Sequence, residues 1–88
     1  MANVTILGRA HTSFKGKDGT LIEGDTVYTM EGIDPRRGEG HRADHFFLSA
    51  SKLASLDFTL KPGQEVEIYY NRFGKVETLR LVDDIVVD

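Results

Sequence analysis

Apolar and polar positions along the chain follow a two-residue repeat that is broken once by a longer period. Over residues 3–14, Val4 and Ile6 alternate with polar positions in a Thr- and Ile-containing stretch, as in a strand with one buried face. Gly8 in its interior predicts a bulge or tight bend. Residues 20–31 read as a second strand, strongest at Thr26-Val27-Tyr28-Thr29-Met30, because β-branched and aromatic side chains fit a pleated surface. Gly24-Asp25 marks an irregularity expected within it. Between these strands Lys15-Gly16-Lys17-Asp18-Gly19 contains Asp-Gly, a strong hairpin signal that returns the chain antiparallel. Residues 32–40 hold three glycines and Pro35 and read as an exposed, mobile loop. A third strand is expected over 41–48.

The period then lengthens. Over 49–57, Leu53 and Leu56 stand three apart with alanines nearby, and Ser49 or Ser51 can cap the start, so a short helix is expected. Lys61-Pro62-Gly63-Gln64 makes a turn. Residues 65–70 alternate strictly, with Val66, Ile68 and Tyr70 on one face and Glu65, Glu67 and Tyr69 on the other, wet one. Asn71-Arg72-Phe73-Gly74-Lys75 is a short hairpin connection, and residues 76–82 form the fifth strand.

Three strands, a short helix and two strands is the element order of the OB-fold, a small five-stranded Greek-key barrel. Other small barrels, including SH3-like ones, fit the same order. Closure would also remove the exposed edges of a small sheet. An all-β, OB-like domain over residues 1–82 is therefore expected, followed by a short acidic tail at 83–88. With 88 residues and no Cys there is room for one core and no disulfide, so homodimerisation is an expected further support.

Charge alters this picture only in its distribution. The formal net charge is −3, unlike the basic balance usual for phosphate binders. Lys and Arg equal Asp and Glu over residues 1–82, so the excess comes from Asp83, Asp84 and Asp88. A neutral body can still present a basic face. No secretory signal opens the chain and no apolar run could cross a bilayer, so a cytoplasmic location is expected. Asp83-Asp84-Ile85-Val86-Val87-Asp88 reads as a last strand or frayed end, or as a tail that recruits a protein partner or competes with nucleic acid for a basic face.

Phe73 is the foremost candidate site residue, because an aromatic before Gly at a hairpin tip, beside Arg72 and Lys75, is hard to bury. It reads as a base-stacking side chain with two cations for phosphates, stacking being worth roughly 1–3 kcal/mol per base. Alternatively it folds over the barrel end or packs in a dimer contact. Phe14-Lys15-Gly16-Lys17 repeats the arrangement at the first hairpin. Tyr28 and Tyr69 offer flat faces for stacking, though tyrosines also serve in ordinary barrel walls. Arg36, Arg37, His41 and Arg42, interrupted by Asp34, Glu39 and Asp44, read as a phosphate-binding arm or as a solvated loop of mixed charge.

His41 and His45, near Asp44, would stand ~13 Å apart on a strand, so no metal is expected. There is no Gly-x-Ser-x-Gly, P-loop or His-Glu-x-x-His, so neither an enzyme nor a cofactor is expected. Binding is the reading that remains. The expected ligand is single-stranded DNA, or RNA; the alternative is a protein-interaction module using the same exposed aromatics.

Phe14-Lys15-Gly16-Lys17, Gly24-Asp25-Thr26-Val27-Tyr28, the Phe73-Gly74 tip and Leu79-Arg80-Leu81-Val82 together resemble elements of the gene V type single-stranded DNA-binding proteins of filamentous phages. The resemblance implies a homodimeric OB-fold protein that coats single strands in phage or mobile-element replication. It further implies that Lys15 and Lys17 contact phosphate and that Tyr28 and Phe73 stack. Glu23, Asp25 and the acidic terminal hexapeptide depart from the family pattern.

Overall fold

A computed structural model describes residues 2–83. Its elements are β1 (Ala2–Lys15), β2 (Leu21–Gly32), β3 (His41–Ser49), α1 (Ala50–Ala54), β4 (Glu65–Tyr70) and β5 (Val76–Asp83). All five strands form one antiparallel sheet in the order β3-β2-β1-β4-β5. The fold is therefore all-β with one short helix between the third and fourth strands, as the element order predicts. The ladder does not close into a complete barrel. β3 and β5 end the hydrogen-bonded order and touch without pairing, which is the partly open form of an OB-like barrel.

β1 serves both halves of the curled sheet. Its first residues pair with β4, from Ala2 opposite Ile68 to Thr5 opposite Glu65, and from Thr5 onward it pairs with β2. The change of partner coincides with a register shift between Ile6 and Gly8, the bulge expected near Gly8. A bulge bends the strand and raises its twist. Around it the Ile6 amide donates to Gln64 O and the Gly63 amide to Ile6 O, each at 2.8 Å, so the turn before β4 supplies partners where β1 leaves the ladder.

Gly24 plays a different part from the one expected. No register shift falls there on either side. A Cβ at Gly24 would lie 2.1 Å from Leu48 O and 2.7 Å from Phe47 Cζ, so the glycine admits the neighbouring strand and a phenyl ring at close approach.

The core consists of Val4, Ile6, Val27, Leu48, Leu60, Val66, Ile68, Val76 and Leu79, with Phe46, Leu53, Leu56, Phe58 and Leu81 packed around it. Every strand contributes, so the core sits inside the curl. α1 begins at Ser49, whose Oγ accepts from the Lys52 amide at 3.4 Å. It ends sooner than expected, in a tightened last turn: the Ser55 amide is shared between the Ser51 and Lys52 carbonyls and the Leu56 amide reaches only back to Leu53 O, each at 3.2 Å. Lys52 then stitches the unpaired seam, its Nζ donating to Val76 O at 2.8 Å.

The expectation that Glu65 and Glu67 form a wet face is corrected at Glu67, which is only 8% exposed. Its carboxylate accepts from the Tyr69 hydroxyl and from Arg80 Nε, the latter at 3.1 Å. The rule that a charged residue on an outward-facing position is solvated fails where neighbours on the same face can cover and pair it. Asp83 belongs to β5, opposite Glu65, while the remainder of the expected acidic tail, residues 84–88, lies outside the described residues. Among the described residues no helix is long and apolar enough to cross a membrane.

Candidate nucleic-acid interface

Directly opposed residues of an antiparallel pair share a face. On β2 and β3 the pairs Asp25–Leu48 and Val27–Phe46 line the core side, while Thr26–Phe47 and Tyr28–His45 stand on the outer side. Beyond the bulge, Phe14 opposite Ile22 and Thr12 opposite Gly24 continue that outer face onto β1. Three strands thus place Phe14, Tyr28, His45 and Phe47 together.

Their contacts are specific. Phe14 meets Phe47 edge to face, with centroids 5.4 Å apart and planes at 66°, and the Phe47 ring lies against Gly24. Tyr28 tilts over His45 at 6.1 Å. Thr12 and Thr26 share a 2.8 Å hydroxyl hydrogen bond. Phe14 and Tyr28 are each 46% exposed, so the rings are braced by one another while keeping open faces. Edge-to-face packing favours such an arrangement.

The turn between β1 and β2 places Lys17 beyond this patch. It is shaped by Asp18, whose Oδ1 accepts from the Thr20 amide at 2.9 Å, and by Gly19 at φ 83°. That same Thr20 amide holds the Asp18 carboxyl below its ordinary value. Lys15 is exposed at the last rung, but the alternation sends it, opposite Leu21, to the face away from Phe14. Asp25 lies on that other face too, with Arg9 at 3.2 Å and His11 at 3.8 Å. Its charge is met locally.

At the second tip, Asn71 organises the turn. Its Oδ1 accepts from the amides of Phe73 at 2.9 Å and Lys75 at 3.1 Å, and Gly74 takes φ 78°. Phe73 is left 73% exposed with the Arg72 guanidinium 5.0 Å from its ring centroid. Phe73 therefore does not fold over the barrel end.

The other candidates are dispersed. Arg36 is held by Asp34 at 3.1 Å and Arg42 by Glu31. The Arg36 side chain also keeps the Asp34 carboxyl below its usual range. Arg37 is exposed in a loop closed by hydrogen bonds of its amide and that of Gly38 to Asp34 O. Tyr69 lies on the outer face of β4 with its hydroxyl committed to Glu67, away from the aromatic patch. His45 joins Tyr28 in that patch, and the described residues contain no group of three or more His, Cys, Asp or Glu that could hold a metal.

Among the described residues, Lys15, Lys17, Arg37, Arg72 and Lys75 have no carboxylate partner within ion-pair distance. Comparison with protein-family models, curated proteins and solved structures gives no match.

Sequence reasoning missed Phe47. Consecutive Phe46 and Phe47 on a strand must face opposite sides, so one of them had to stand on the outer face. That signal was present in the chain.

Proposed function

We propose that this protein binds single-stranded nucleic acid, DNA foremost, by stacking bases on the outer face of β1, β2 and β3, with Lys17, Arg72 and Lys75 for phosphates. The observation that carries this reading is the gathering of Phe14, Tyr28, His45 and Phe47 on one face, the first three exposed and Phe47 half-buried. Same-face positions on a strand are about 6.7 Å apart, twice the roughly 3.4 Å rise per nucleotide of a duplex strand. Bases laid on successive outer-face residues must therefore be spread apart, which a single strand permits. The mechanism is sequestration, with no bond made or broken. Following the resemblance, the proposal extends to a homodimer that coats strands during phage or mobile-element replication in the cytoplasm.

The chain has three Tyr and no Trp, so tyrosine emission reports on the patch through Tyr28. Titration with oligo(dT) at low salt is expected to quench it. Oligo(U) in a parallel titration separates a DNA from an RNA preference. Neither quenching nor binding of either polymer at low salt would overturn the reading.

A further inference from the structure

Where β3 and β5 fail to pair, the sheet leaves a groove of ~500 Å³. Its floor is the core itself, reached at Val4, Ile68 and Val76. Phe46 and Tyr70 stand in its walls, and Lys75 reaches it from the β4–β5 hairpin. Volumes of about 300–1,000 Å³ with apolar linings and a few polar groups are usual for small-ligand sites.

The groove is continuous with the outer aromatic face, because Phe47 and His45 line both. It lies between that face and the second hairpin tip. A strand leaving Tyr28 and His45 over the edge of β3 meets the groove before it reaches Phe73.

Charge also distinguishes its two ends. Glu31 is matched by Arg42, and Asp44 caps the His45 amide at 2.7 Å; these residues belong to β2 and β3. On the opposite wall Lys75 has no carboxylate partner among the described residues, and Tyr70 is 55% exposed although it lies on the core-facing side of β4. An exposed aromatic over an apolar floor, beside a free ammonium, suits a planar base carrying a phosphate.

We infer that the groove at the β3–β5 seam is a nucleotide-sized subsite, holding one base of a bound single strand against Tyr70 and Phe46 with its phosphate on Lys75. The inference rests on the single-strand reading above and extends it to a position that the two hairpins alone do not provide. It makes the two tips ends of one track, with the subsite between them.

The test uses the full chain and oligo(dT) carrying a single photoreactive 5-iododeoxyuridine. After irradiation, adducts are mapped by peptide mass spectrometry. Adducts are expected on Tyr70 or Phe46 in addition to the outer-face residue Tyr28. In parallel, Tyr70→Ser is expected to bind a fluorescently labelled oligo(dT) about tenfold more weakly, within the range for loss of one stacked base, with an unchanged thermal melt. Adducts confined to outer-face residues, together with unchanged affinity of Tyr70→Ser, would overturn the subsite while leaving the single-strand reading intact. Absence of any oligo(dT) binding by the wild-type chain would overturn both. If Tyr70→Ser fails to fold, the adduct map of the wild-type chain decides alone, since adducts on Tyr70 or Phe46 support the subsite and their absence removes it.

Discussion

Phe73 shows how a single side chain can be held ready without being buried. The Asn71 carboxamide fixes the turn beneath it, and Arg72 rests over the ring. Since the ring contributes little to the core, Phe73→Ala should leave thermal stability unchanged while weakening oligo(dT) affinity by about tenfold; paired melting and anisotropy measurements check both halves. Glu67 is the opposite case, a charged side chain made structural by its neighbours. The Tyr69 hydroxyl, followed by Arg80, holds its carboxyl below the ordinary glutamate value. A folded pKa below the unfolded one contributes stability at pH above about 4.3, and that contribution is lost as pH falls through the folded value. Urea midpoints should therefore be lower for Glu67→Gln than for the wild type at pH 7, with the difference shrinking toward pH 3. Asp18 and Asp34 shift in the same direction but lie nearer the surface, so a residual acid dependence should persist in the variant.

The elements are governed by how closely strands approach one another. Gly24 allows the end of β3 to lie against β2, and Phe47 covers the space its missing side chain leaves. Gly24→Ala would force Leu48 O and the Phe47 ring away, separating β3 from β2 at the rung that supports the aromatic patch. A loss of about 2 kcal/mol or more is expected, measurable as a lower urea midpoint. Both hairpins, in contrast, are set by local chemistry: Asp18 with Gly19 at one and Asn71 with Gly74 at the other. Their positions were legible in the chain for that reason. Glycine at positive φ and an Asn or Asp oxygen accepting from an amide two residues on are short-range devices that need no partner strand.

At the scale of the whole molecule, the open seam sets the character of the fold. Lys52 bridges it with one bond to Val76 O, and the exposed half of β3 at its edge carries His41, Arg42, Asp44 and His45. Charged side chains on an edge discourage pairing with another chain. Electrostatic attraction to a strand should be modest, because Arg9, Arg36, Arg42, Lys52 and Arg80 each face a local carboxylate. If Lys17, Arg72 and Lys75 are the phosphate contacts, log affinity for oligo(dT) against log salt should have a slope of about −2. A markedly steeper slope in a salt titration would show that paired arginines are released to the ligand.

The chain by itself determined the strands, their turns, the capped helix and the exposed tip at Phe73, because alternation, turn residues and caps act over a few neighbouring positions. It also held the pairing of aromatic and basic residues at both hairpins. Only the tertiary structure decided that Phe14, and not Lys15, shares the face of Tyr28, that Phe47 and His45 complete the patch there, that Glu67 is covered and that a groove opens beside Tyr70. Each of these depends on the register between strands distant in sequence and on the ladder stopping short of closure. A one-residue change of register reverses every side chain on a strand, so the surface that a ligand meets is settled by pairing and not by local sequence.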